Sequence, residues 1–378
     1  MATRTVSNAG GNWNAPSAWA GGVVPIAGDD IAFTATSGNL TVNTSTANLV
    51  GVNFTNYVGT ITFTGNITTN GVLNLGSGGY TQLGASGIVL NGATTITSGG
   101  VAWSRTLTFG GASVTYTLVG NLTVTGLVTF QGSGTTTFTN NTLNINGSLT
   151  QTSTGIYVGT TSIVFGGTGT WSNSGGGVIR NNTTINTAGT LTISGSNINY
   201  NTGIFTYTAG TVITTGSTLN IAAATTFNTA GMSWNNIAIT TGTQTLNNLF
   251  SVSGTMTLSI STIFAGTAGF SVATLIASGS GLTHQLVSTV TYTITTAFTC
   301  TTATSASRVS FRSTTPGSQA ILTVQPGVTI DVGFVNATDI DSSLGRPIYS
   351  YRGVFSNTLN WGLLPTDNTR SGRSTFVG

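Results

Sequence analysis

Thr106-Leu107-Thr108-Phe109, Asn121-Leu122-Thr123-Val124, Thr142-Leu143-Asn144-Ile145, Thr190-Leu191-Thr192-Ile193, Thr218-Leu219-Asn220-Ile221 and Thr255-Met256-Thr257-Leu258 are one phrase written six times. Apolar residues stand two apart and Thr or Asn fills the places between. A period of two belongs to a strand with one face inward and one outward. A four-residue strand cannot bury its apolar face alone, but stacked on copies of itself it can. The phrase therefore predicts an all-β chain wound as a right-handed parallel β-helix. In this reading Leu122, Leu143, Ile145, Leu191, Ile193, Leu219 and Ile221 point inward. A β-propeller or an array of β-sandwiches is the alternative, but the long strands of propeller blades are not visible.

Composition points the same way. All nine basic residues are Arg and all six acidic residues are Asp, so charged residues make up 4% of the chain. A soluble domain carries about 25%. Lys and Glu, strong helix formers, are absent. Thr suits strands, and 53 glycines supply turns. Phrases begin at Asn39-Leu40-Thr41-Val42, and their spacing varies: Leu122 to Leu143 is 21 residues, Leu191 to Leu219 is 28. Coils of unequal length would produce this. Four segments follow: an N-terminal cap at 1–38, the solenoid at 39–304, a C-terminal cap at 305–364 and a polar tail at 365–378. The N-terminal cap holds Trp13, Trp19, Asp29 and Asp30. The two tryptophans would cover the end of the core, and the carboxylates would bond turn amides.

Several functions are disfavoured. Between Asp30 and Asp331 the only charges are Arg105, Arg180, Arg308 and Arg312, too scattered for a nucleic-acid footprint. No apolar run has the length of a membrane helix, and the first residues lack the apolar core of a secretory signal. Cys300, the only cysteine, reads as a small buried hydrophobe. From Ile31 to Ile330 there is no Asp or Glu, so a glycosidase pair of carboxylates has no place on the coils. His284 is the only histidine, and a Ser–His–Asp site would have to recruit Asp331, Asp339 or Asp341. Gly166-Gly167-Thr168-Gly169-Thr170 starts like a calcium-binding repeat, but Trp171 stands where Asp is required. Asp29-Asp30 and Asp339-x-Asp341 suit turn capping better than Ca²⁺. No enzyme, cofactor or metal is expected.

The ends carry more specific motifs. Gly10-Gly11-Asn12-Trp13, Ala18-Trp19, Gly21-Gly22-Val23-Val24-Pro25 and Gly28-Asp29-Asp30-Ile31 precede the Thr/Asn/Gly-rich middle. Phe311-Arg312-Ser313-Thr314-Thr315-Pro316-Gly317 and Asn360-Trp361-Gly362 follow it. Together they resemble β-helical proteins of bacteriophage genomes and bacterial cell surfaces. The resemblance implies a virion fibre, spike or surface decoration, with a bacterial adhesin or filament, or a glycan depolymerase, as alternatives. It implies assembly in the host cytoplasm and a three-fold homo-oligomer beside other virion proteins, and it supplies no catalytic residue. Two sets of contact residues are expected. In the tail, Phe376 would fill a partner's pocket while Arg370 and Arg373 pair with acidic groups. On the coils, outer-face aromatics would pack between turns or between subunits, or stack on host-surface sugars: Trp103, Tyr116, Tyr157, Trp171, Tyr200, Tyr207 and Trp234, with Trp171 and Tyr157 the leading sugar candidates.

Overall fold

A computed structural model describes residues 2–193, 195–240, 242–300, 304 and 306–364. The chain is all-β, 55% strand, and forms a parallel β-solenoid of about 15 turns. Contacts divide it into two compact units, Met1–Ser194 with Ala209–Ile213, and Gly195–Thr208 with Thr214–Gly378. Both are built the same way.

In the first unit Leu122 pairs with Leu143, which pairs with Ile163. Two residues on, Val124 pairs with Ile145 and Ile145 with Phe165. Like thus stacks on like: all of these side chains are buried, while Thr123, Asn144 and Val164 form the outer rung. A second face repeats the pattern with Leu107, Val128, Leu149 and Trp171 in one inward column. In the second unit the inward column runs Ile198, Leu219, Ile237, Met256, Leu275, Phe298 and Ile330. The seven residues expected inward are all buried, each at 0% exposure. Among the described residues the strands pair in parallel, so each coil passes its backbone hydrogen bonds to the next.

The coils are more regular than phrase spacing implied. Side-chain bonds between successive coils of the first unit span close to 21 residues, as from the Thr142 amide to Asn121 Oδ1. Leu191 and Leu219 lie 28 apart because they are not partners: Leu191 pairs with Gly169, and Leu219 with Ile198. Coils are longer at both ends: Thr3 pairs with Asp30 and Gly11 with Leu40 near the start, and Ser310 pairs with Thr283 and with Asn336 near the finish.

Amide ladders fasten successive coils to one another. Asn220 Nδ2 donates to Asn199 Oδ1 at 2.9 Å, and Asn247 Nδ2 to Asn228 Oδ1 at 2.9 Å. Some turns also need glycine. Gly159 has φ +126°, and a Cβ there would meet the Phe138 carbonyl oxygen at 1.8 Å. Only glycine lets the two coils approach this closely.

At the N-terminal end Trp13 and Trp19 meet edge to face at 4.8 Å, and Trp19 Nε1 donates to the Trp13 carbonyl at 2.7 Å. Both rings are buried. Asp29 ties the end down: Arg4 Nε donates to its Oδ2 at 2.9 Å, and the amides of Ala2 and Ile26 donate to the same carboxylate. The Arg4 bond, helped by these amides and outweighing burial, holds the carboxyl below its usual range. Its contribution is therefore present above the ordinary Asp pKa and is lost as pH falls through the lowered value. Asp29→Asn is expected to release residues 1–30 for cleavage while the coils stay resistant. Limited proteolysis with mass mapping checks this; unchanged cutting at the N-terminus would mean the carboxylate holds nothing.

Candidate functional site

The proposed sugar-stacking aromatics do not lie on the surface. Trp171 and Tyr157 are both 0% exposed. Trp171 stacks on Phe165 at 4.8 Å and donates Nε1–H to Gln151 Oε1 at 3.1 Å. Tyr157 stacks on Phe130 at 4.5 Å and its hydroxyl donates to the Gly132 carbonyl at 3.0 Å. Trp103, Tyr116, Tyr200 and Trp234 are buried as well; of the seven, Tyr207 alone is half-buried. The cause is register. Alternation puts Trp171 in the inward column under Leu149, and a polar ring tip is no obstacle where a carbonyl awaits it. Tyr116 finds the Leu90 carbonyl at 2.8 Å and Trp103 the Thr106 carbonyl at 3.2 Å. A sugar needs an exposed ring face, so these residues are core. Arg370, Arg373 and Phe376 lie outside the described residues.

His284, Cys300 and several aspartates have structural settings. His284 is buried, pairs with Thr262 and Phe311 on the neighbouring coils, and packs its ring 5.2 Å from that of Phe311. Neither ring nitrogen has a hydrogen-bond partner among the described residues. Burial lowers its pKa to about 4, so it is neutral at pH 7. Cys300 is buried, and burial first, then the charge of Asp331, pushes its thiol pKa up. A thiol held protonated is a poor nucleophile. Two of the acidic residues near the C-terminal end cap turns: Asp341 Oδ1 accepts the Ser343 amide at 2.7 Å, and Asp339 Oδ2 accepts the Gly317 amide at 2.9 Å.

That last bond helps to build a polar concavity in the second unit. Three parallel strands, Thr283–Leu286, Val309–Ser313 and Val335–Thr338, lie side by side. Their register sets Gln285, Arg312 and Thr338 in one column. Alternation turns His284, Phe311 and Ala337 inward, all buried, and leaves this column outward. A wall rises from the following turn. The Thr315 amide donates to Ser313 Oγ at 3.1 Å, the Ser318 amide to the Thr315 carbonyl at 3.1 Å, and Gly317 takes φ +80°. Asp339, itself at φ +57°, fastens this turn from the next coil and accepts a second bond from Asn357 Nδ2. The Asn357 bond, then that of Gly317, lowers the Asp339 pKa against its desolvation. Between column and wall is a trough of about 220 Å³ lined by Gln285, Arg312, Ser313, Thr314, Pro316, Thr338 and Asp339.

Two further troughs offer less. One of about 230 Å³ is lined by Ser233, Ser251, Ser253, Ser271, Val252, Val272, Ala273 and Thr295, with hydroxyls and no charge. The other, of about 270 Å³, contains Asp30, Asn53 and Asn74, but both amide side chains are engaged in turns: Asn53 Oδ1 accepts from the Thr55 amide and Asn74 Oδ1 from that of Gly76. In the trough beside Arg312, by contrast, the guanidinium is exposed and forms no ion pair among the described residues. Sequence reading marked the Phe311–Gly317 motif without giving Arg312 a task, and it passed over Gln285. Gln285 is 27 positions before Arg312, and Thr338 is 26 after it, so a 21-residue repeat does not align them.

No group of three or more potential metal ligands occurs among the described residues, and no described helix is long and apolar enough to cross a membrane. Compared with protein-family models, with curated proteins and with solved structures, the chain matches none.

Proposed function

We propose that this chain is a non-enzymatic structural protein of a bacteriophage virion, a fibre, spike or surface decoration that contacts host-surface glycans. The observation that carries the reading is the division of labour between core and flank. Most bulky residues and the single histidine serve the interior, and the outward rungs are rich in Thr, Ser and Asn, without a carboxylate side chain from Ile31 to Ile330. Such a flank resists unpairing, because most strands are held by parallel partners on both sides, and has little for acid–base chemistry to use. The Lys-free surface suits exposure outside a cell, and the end motifs resemble those of β-helical phage proteins.

Self-assembly as a trimer belongs to this reading. A surface with few charges gives little repulsion between copies, and the last coil exposes Leu344, Tyr349, Val354, Leu359 and Leu363. Sedimentation at micromolar concentration is expected to return a trimer; a clean monomer would remove this part.

The test is location. Particles purified through a density gradient are expected to contain the chain in fixed stoichiometry by mass spectrometry, and labelled antibody is expected to decorate intact particles. Recovery only in the soluble lysate would sink the virion assignment. Release of oligosaccharides from host capsule by the purified protein would overturn its non-enzymatic part.

A further inference from the structure

We propose that the trough beside Arg312 is a binding site for a carboxylated sugar, a uronic-acid unit of an acidic surface polysaccharide. The proposal deepens the glycan-contact part of the functional reading and rests on it only for the biological setting. Its chemistry stands on the trough itself.

Arg312 presents a guanidinium outward from the middle of a three-strand platform whose inward neighbours are buried. A planar fork of donors matches a carboxylate with two parallel bonds, which a hydroxyl cannot reproduce. Gln285, one coil before it in the same column, carries a carboxamide able both to donate to and to accept from sugar hydroxyls. Thr338, one coil after, adds a hydroxyl. Pro316 supplies an apolar wall for the ring. The carboxylate of Asp339 does not cancel the cation: Oδ2 accepts from the Gly317 amide and Oδ1 from Asn357, and no ion pair links Asp339 to Arg312. It keeps its negative charge, but its oxygens are turned to the neutral donors of the wall. The adjoining Ser313 Oγ accepts the Thr315 amide in the same way. The groups left for a ligand are thus one cation, one amide and hydroxyls, the complement of a sugar acid.

The platform is also built to be rigid. Backbone bonds run through all three strands, and the Ser288 and Thr315 hydroxyls meet at 3.3 Å beside the turn. A site on paired strands loses little entropy on binding. The geometry excludes two competitors. A nucleic acid would need several cations along a track, and a metal would need oxygen donors that are not already bonded.

The experiment is calorimetry of the full-length protein with oligogalacturonate, and with the neutral galactose oligomer of the same length as control. Binding of the acidic oligomer is expected, weakening as salt rises because an exposed charge pair is screened. Arg312→Ala is expected to lower affinity by about tenfold or more, and Arg312→Lys to recover part of it, since charge is kept and the fork lost. Gln285→Ala is expected to weaken binding less. Arg312 and Gln285 face outward, so circular dichroism should be unchanged in all three variants. Equal binding of the neutral oligomer, absence of binding by the acidic one, or an affinity indifferent to Arg312→Ala would each overturn the proposal. These outcomes separate from the location test. A protein found in particles that binds no uronate keeps the virion reading and loses the trough; one that binds uronate but is absent from particles does the reverse.

Discussion

Trp171→Ala is expected to destabilise the fold by roughly 3–5 kcal/mol, the usual range for removing a buried aromatic. The ring is fully buried, stacks on Phe165, and lies in the inward column beside Leu149. Its removal opens a cavity between coils whose backbones are locked by parallel pairing, so little collapse can refill it. It also takes away the donor to Gln151 Oε1 in the interior, and an acceptor left alone there adds to the cost. Chemical denaturation of wild type and variant, with Trp171→Phe as a partial rescue, measures the effect. In a solenoid, stability is a sum of coil and interface terms. The loss is therefore expected in the transition of the first unit, which contains Trp171. A change below about 1 kcal/mol would place the ring at the surface.

Acid is expected to weaken the fold through His284. An unfolded chain takes up a proton on this imidazole below its ordinary pKa of 6.5; the folded chain, where burial lowers the value to about 4, does so only later. Between these values the unfolded state binds more protons, so stability falls as pH falls. The full difference corresponds to about 3 kcal/mol. Nothing compensates inside, because neither ring nitrogen has a partner among the described residues and the flanking inward residues, Thr262 and Phe311, carry no charge. Asp29 and Asp339 add their own loss at lower pH still, since their carboxyls are held below the usual range and their contributions vanish as they protonate. Denaturation midpoints measured from pH 7 to pH 4 are expected to decline in wild type and to stay nearly level in His284→Leu. A parallel decline in both proteins would assign the acid sensitivity to other groups.

Much of this architecture is legible before any folding is considered. The alternation in Thr142-Leu143-Asn144-Ile145 assigns each side chain to a face, and a strand has only two faces to choose between. Composition removed helices, and the carboxylate-free stretch from Ile31 to Ile330 limited the chemistry of the flanks. Asp29 as a turn fastener and the two cap tryptophans were also readable, because a solenoid end must cover its core.

What alternation cannot supply is the pairing of one coil with the next. Leu191 and Leu219 carry the same phrase, yet only the folded chain separates them, setting Leu191 beside Gly169 and Leu219 beside Ile198. The aromatics were misplaced for a related reason. A buried Tyr or Trp usually needs an acceptor for its polar tip, and alternation does not show one: it comes from a neighbouring coil for Tyr116 and Tyr157, through the carbonyls of Leu90 and Gly132, and from the same coil for Trp103, through Thr106. The trough has the same origin. Gln285, Arg312 and Thr338 are 26 and 27 positions apart in the chain, and meet only because lengthened coils bring their strands back into register. Local pattern determined which way each residue faces; long-range hydrogen bonding between coils decided which residues face together.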